Sequence, residues 1–365
     1  MDFRLATEQD NLALLDLCKQ APMEGIVTAY VDQSPNFFTM PMMQGDDFKV
    51  WVADNNGSID GCVVESYKTM RYNGEIKKTF YIGDMKVRPE ARGILGLKLS
   101  SFVINQAKIK GYSLGECFII DGNEKMRKVL EWLATKIFTK TDSGYANIYQ
   151  VMPYRKYNTS KKYTVRIATE KDISQIASIL ESTYKDYSGA PVFENGGLLQ
   201  FLSKTETFTI YNFRVAEKDG KIVACAAFWD QDNIRRTVVQ QFSKVGKIAL
   251  FLLKGLKPIL GLPKLPKLGD SLKYLFLRFP AIVDNDIEAL RAILHHESNQ
   301  IRVLKRYHFI WASFHQADPL ASCISKMWKI KMKVNIFHFK FMEGVDLIPS
   351  EKAAEQPVYV DFSLI

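Results

Sequence analysis

The sequence predicts an α/β (α+β) chain made of two tandem copies of one fold, each a mixed, mostly antiparallel twisted sheet flanked by helices. Three observations lead there. The 365 residues are enough for two ordinary domains, each with its own core, and many for one. Two segments of the first half recur in the second, in the same order and at nearly the same separation. In both halves short runs of strand type give way to runs of helical period, so strands and helices are interleaved.

Composition narrows the class. With 47% hydrophobic and 24% charged residues, the chain reads as folded and water-soluble, neither disordered nor fibrous. The five cysteines (Cys18, Cys62, Cys117, Cys225, Cys323) are odd in number and lack metal-type or redox-type spacing. They are expected as buried thiols in a reducing, cytoplasmic setting. Met1 to Glu8 lacks the features of a secretory signal, and the longest strongly apolar run, Ile248 to Leu253, falls far short of the roughly 20 residues that span a bilayer. The formal charge of +9 is concentrated: nine Lys or Arg against the single acid Asp270 lie between Ile234 and Lys273. The remainder is near neutral, which argues against a specific nucleic-acid partner.

The first element, the strand Phe3-Arg-Leu-Ala-Thr-Glu-Gln-Asp10, returns as Val165-Arg-Ile-Ala-Thr-Glu-Lys-Asp172, offset by 162 residues. Each leads into a helix capped by Thr or Asp, about 10–19 and 172–182, with apolar residues at three- and four-residue spacing. Next comes a hairpin. Trp51 to Cys62 turns at Gly57 and Arg214 to Cys225 turns at Gly220, offset by 163. Chance accounts for either match alone more readily than for both in order. A strand, a long helix, a strand and a helix follow in each half, displaced further in the second by the basic segment. The boundaries predicted are 1–156 for the first copy, 163–345 for the second with an insertion at 234–273, and a tail at 346–365. In the tail, Pro357 to Ile365 alternates like an extra strand. The insertion is expected to be helical and has two readings: an amphipathic helix making weak, salt-sensitive contact with an anionic membrane, or apolar residues packed between the domains with the lysines in water.

Tyr81 to Val87 reads as a strand, Arg88 to Gly93 as a turn and Leu95 to Lys110 as a helix. Free N–H groups at a helix start, with glycines allowing close approach, suit a pyrophosphate. At these residues the chain resembles the GNAT superfamily of N-acetyltransferases, through Val87, Pro89, Arg92, Gly93 and Gly96. It departs from the family pattern in being one residue shorter between Arg92 and Gly96, with Leu95 near a usual glycine. The resemblance implies an acyl-CoA site formed by Met85, Val87, Arg92, Gly93, Ile94, Leu95, Gly96 and Leu97, with Asn123 contacting the cofactor or simply capping its helix. In the second half the corresponding loop, Pro280 to Glu288, has no glycine, and Asp284, Asp286 and Glu288 oppose a phosphate. One acetyl-CoA per chain, as co-substrate, is the expectation.

Asp84 is the catalytic candidate. The resemblance places an acid there beside the acceptor amine; otherwise it is a strand residue paired with Lys86 or Arg88. The tyrosine that in this superfamily protonates the leaving thiolate would fall at Leu130, with Tyr145 and Tyr149 as substitutes. All five histidines lie in the second half, and adjacent His295 and His296 point apart on a helix, so no metal is expected. The function implied is acetyl transfer to an amine of a small molecule or peptide. The alternatives are a non-catalytic acyl-CoA-binding protein and an aminoacyl or long-chain acyl transferase.

Overall fold

The two recurring segments fold alike because they carry the same ion pairs. Arg4 donates to Asp10 (2.8 Å) and Asp54 (2.7 Å), and Arg166 donates to Asp172 (2.7 Å) and Glu217 (2.6 Å). Each guanidinium thus ties a first strand to a helix start and to the neighbouring strand. The hydrogen bonds from Arg4, opposed by burial, hold Asp10 down to about 2.

The computed structural model describes residues 1–91, 93–260, 262–340 and 346–365, without the side chains of 258–260. The first half runs β1 (Asp2–Leu5), α1 (Asn11–Gln20), β2 (Val27–Asp32), α2 (Thr39–Gln44), β3 (Asp47–Asn55), β4 (Ser58–Tyr72), β5 (Glu75–Val87), α3 (Leu95–Ile109), β6 (Leu114–Ile120), α4 (Glu124–Lys136) and β7 (Thr139–Val151). After the irregular residues 152–163 come β8 (Thr164–Ile167), α5 (Ile173–Tyr184), α6 (Gly197–Ser203), β9 (Phe213–Lys218), β10 (Lys221–Trp229), β11 (Arg236–Phe242), α7 (Lys244–Leu260) and β12 (Ser271–Leu272). The chain ends with β13 (Tyr274–Ile282), α8 (Ile287–Leu304), β14 (Phe309–His315), β15 (Lys329–Lys340) and α9 (Ser350–Glu355).

The copies share one 12-stranded sheet, ordered β1-β3-β4-β5-β6-β15-β7-β14-β13-β10-β9-β8. Most neighbours are antiparallel, and β5–β6 and β13–β14 are parallel. The last strand of each half is exchanged: β15 lies between β6 and β7, and β7 lies between β15 and β14. Each half's sheet therefore contains a strand of the other.

Both halves bulge at the same place. Val63 of β4 faces two residues of β5, since the register shifts between Cys62 and Val64, and Ala226 of β10 does the same on β13. The parallel strands part just ahead of the bulge: β5 and β6 pair only from Thr79–Leu114 to Tyr81–Glu116, and β13 and β14 only from Tyr274–Phe309 to Phe276–Trp311. Helices α3 and α4 cover one side of the first opening through Ile104, Leu130 and Leu133. The tail covers the other side of the sheet, packing Val358 and Val360 on Ile148 and Ile336.

Three expectations are corrected. Segment 234–273 is not a purely helical insertion. It is strand, helix, strand, and β11 pairs with both β12 and β2 of the first half in a three-stranded sheet. Nor does α7 pack between the halves: Val245, Ile248, Phe251, Leu252 and Leu256 are exposed. The tail makes a single bridge, Ser188 to Val358, and then turns into a 3-10 helix at Phe362–Leu364, where a strand was expected. Its backbone goes instead to side chains, as Ser313 bonds the Val360 carbonyl, and Asp361 accepts from Arg278 at 2.6 and 2.9 Å.

Candidate active site

The bulge on β5 puts Asp84 at φ +52°, a conformation that Asp tolerates better than most side chains. From there the strand turns away from β6 and leaves an opening. The opening leads into a cavity of about 210 Å³. Tyr81, Asp84 and Met85 of β5, Phe118 and Ile120 of β6, and Ile365 border it, and Ile104, Leu130, Leu133, Phe138 and Phe339 make its inner wall apolar.

The residues singled out from the sequence separate here. Asp84, Met85 and Asn123 line the cavity. Asn123 is also the cap of α4, accepting from the Met126 N–H at 3.2 Å, the capping role expected as the alternative to a cofactor contact. Ile94 stands at the start of α3 with no side-chain cap, leaving the first N–H groups of the helix to another acceptor. Gly93 has φ +132° with open space around its α-carbon, and a β-carbon on Gly96 would sit 3.7 Å from Met85. Leu95 is buried and Leu97 packs toward the core of α3 and α4, so of these two only the backbone faces the loop. A β-carbon on Gly61 would lie 3.4 Å from Val87, which packs against the neighbouring strand. Arg92 lies outside the described residues.

Asp84 pairs with Lys86 and accepts from Gln33 at 2.7 Å. Burial alone would raise its pKa, but the Lys86 charge and these hydrogen bonds outweigh burial and hold the carboxyl below its usual range. It is therefore an anion suited to hold an ammonium and a poor proton acceptor. Leu130 is part of the apolar wall. Tyr145 and Tyr149, named as substitutes for the missing tyrosine, do not line the cavity: Lys333 lies over the Tyr145 ring, and Tyr149 borders a groove with Trp328.

Two groups outside the set of expected site residues stand at the point where β5 and β6 part. Tyr81 folds back along its strand, so close that a β-carbon on Gly83 would collide with its ring. Burial, with Asp84 and Glu116 nearby, drives its pKa well up and keeps the phenol protonated. Glu116 is fully buried and ion-paired with Lys68 through Oε1, while its Oε2 accepts no hydrogen bond among the described residues. His338 Nε2 lies 3.9 Å away, and burial pushes that imidazole down to about 3, so it adds no charge. No sequence motif marks Glu116. Its strand position, paired with Tyr81 at the end of a parallel ladder, is the only signal.

On the far side of these residues the halves enclose a cleft. A small space bordered by Tyr81, Glu116, Phe118 and Ile365 shares walls with the apolar cavity and with a larger cleft of about 550 Å³ at Asp46, Lys68, Lys204 and Asp361. Arg235 fastens the tail there, donating to the main-chain oxygens of Ser363 (3.3 Å) and Ile365 (2.7 Å).

The second opening is filled. Phe279 is three residues past the last paired residue of β13, as Asp84 is on β5, and has φ +51°. It is fully buried among Phe193, Phe201, Phe208, Phe213 and Tyr359, with the Arg278 guanidinium over its ring. In the following loop Asp286 accepts from the Tyr163 hydroxyl, and despite its partial burial it stays below the usual carboxylate range. Among the described residues no cluster of His, Cys, Asp or Glu could hold a metal, and no helix is long and apolar enough to cross a membrane.

No protein-family model and no curated protein sequence matches the chain. Solved structures do resemble it. Saccharomyces cerevisiae N-myristoyltransferase with bound myristoyl-CoA is similar over 98% of this chain and 89% of its own, with a TM-score of 0.60 and 11% identity. A probable N-acyltransferase of unknown function from Enterococcus faecalis is similar over 93% of this chain and 72% of its own (TM-score 0.51, 8% identity). For a GCN5-related N-acetyltransferase from Anabaena variabilis the shares are 93% and 73% (TM-score 0.51, 10% identity). Likeness at such identities concerns the fold: this chain has a GNAT-like fold in tandem, with both copies joined in one sheet.

Proposed function

We propose that the chain is an acyl-CoA-dependent N-acyltransferase with one site, at the opening between β5 and β6. The asymmetry of the two openings carries this reading. The first leads past an uncapped helix start to an apolar cavity, and the second is plugged by Phe279. The N–H groups of residues 93–97 suit the pyrophosphate, and the unpaired edges of β5 and β6 beyond Tyr81 suit the pantetheine amides. An acetyl group needs little of the inner cavity. A cavity of about 150 Å³ already holds a benzene ring, so this one favours a longer acyl chain than the acetyl implied by the resemblance. The N-myristoyltransferase likeness agrees with that preference.

The acceptor, a small-molecule or peptide amine, enters by the cleft between the halves. Asp84 orients its ammonium form. That ammonium first loses one proton to water; the neutral amine attacks the thioester carbonyl, a C–N bond forms as the C–S bond breaks, Glu116 takes the second amine proton, the Tyr81 hydroxyl protonates the leaving thiolate, and Glu116 passes its proton on to the Tyr81 phenolate. A second reading, acyl-CoA binding without catalysis, rests on Leu130 standing where the superfamily places its tyrosine. Time-dependent CoA release, followed with an acyl-CoA series from two to sixteen carbons and a panel of amines and peptides, decides between them. The proposal expects release that rises with chain length; saturable binding with no release for any pair supports the second reading.

A further inference from the structure

Among its described residues, helix α7 meets the body near its start and along one side. Gly246 is buried, and a β-carbon there would lie 2.4 Å from the Ile26 carbonyl oxygen, while Leu250 and Leu253 are half-buried. At about 100° per residue, Val245, Ile248, Leu252 and Leu256 fall within an arc of roughly 80° on the side turned away from these contacts. Their exposures are 62, 62, 59 and 44%, and Phe251 at the rim is 74% exposed. A stripe of this kind on the surface of a folded protein marks a contact site.

Charge selects the occupant. Lys247 and Lys254 run along the flank of the stripe, with Lys244 and Lys257 toward its ends, all four exposed and with no acid among residues 244–257. Four of the five other basic residues of the segment are engaged elsewhere: Arg236 with Asp32, Lys273 with Asp232, Arg235 with the tail and Lys264 with Asp270. A second copy of this chain would set four lysines against four lysines. A surface of anionic lipid offers both an apolar layer for the stripe and negative head groups for the flank.

We infer that α7 is an interfacial anchor that seats its Val245–Leu256 face in an anionic membrane surface. No described residue of α7 lines the cavity, so docking adds location to the chemistry. The test is co-sedimentation of the full chain with vesicles of phosphatidylcholine alone or with one third phosphatidylglycerol, at about 0.1 M and about 0.5 M salt. Binding is expected to the anionic vesicles, falling about tenfold or more at the higher salt. Leu252→Glu, at an exposed position, should lower it at least about tenfold, and so should joint replacement of Lys244, Lys247, Lys254 and Lys257 by Gln. Far-UV circular dichroism checks that the variants stay folded. Equal binding to both vesicles, binding to neither, or a solution dimer that Leu252→Glu dissociates would each overturn the inference.

Discussion

Asp84 and Phe279 occupy the same place in the two copies, with the same left-handed backbone, and their chemistry separates a site from a filled core. On β5 the short acid leaves the opening empty and offers a charge; on β13 the ring closes it. Asp84→Asn removes the anion and keeps the Gln33 contact. Turnover should fall about tenfold or more through a higher acceptor KM, with acyl-CoA affinity nearly unchanged. Glu116→Gln should lower kcat instead. Steady-state kinetics with an acceptor in hand checks both, and full activity in Asp84→Asn moves that residue to a structural role. Asp318 provides a pH prediction. Burial raises its carboxyl to about 6, although the Leu320 N–H and the Tyr187 hydroxyl both bond its Oδ1. Its contribution to stability is full below about pH 4 and is lost as pH rises through about 6. Asp318→Asn retains Oδ1 and should match wild type near pH 4 and exceed it by about 1–2 kcal/mol at pH 7. Thermal unfolding measured at both pH values tests the sign.

Among the elements, the loop before α3 should bear most on affinity. Gly93→Asp places a side chain at φ +132° and a negative charge where a phosphate must approach, so acyl-CoA binding should weaken about ten- to a hundredfold. Calorimetry gives the affinity directly. The elements themselves were legible in the sequence: the strand and helix around Arg4–Asp10 and Arg166–Asp172 repeat because one ion-pair geometry is encoded twice. The partners of those elements were less legible. Nothing in the period of Lys329–Lys340 says that it pairs across halves, because a strand's pattern records which faces are buried and not which neighbour buries them. The tail alternates like a strand, yet its hydrogen bonds go to side chains such as Ser313. In α7 the amphipathic pattern was plain, but pattern alone did not tell whether its apolar side met protein.

At the scale of the molecule, the loop glycines, the acidic second loop and the missing tyrosine could be read from residue order. The filled second opening could not, since the rings around Phe279 come from α5–α6 connections, β9 and the tail, brought together only by folding. For the same reason Tyr81 and Glu116, 35 residues apart, met as a pair only when β5 and β6 aligned. The central claim is that two copies of one fold leave a single acyl-CoA site. Titration calorimetry of the intact chain with a non-hydrolysable long-chain acyl-CoA analogue, on wild type and on Leu130→Trp, tests it most directly. One molecule should bind per wild-type chain, and a folded Leu130→Trp chain, whose cavity the indole fills, should bind at least about tenfold more weakly. Two sites per chain, or unchanged affinity in Leu130→Trp, would contradict it.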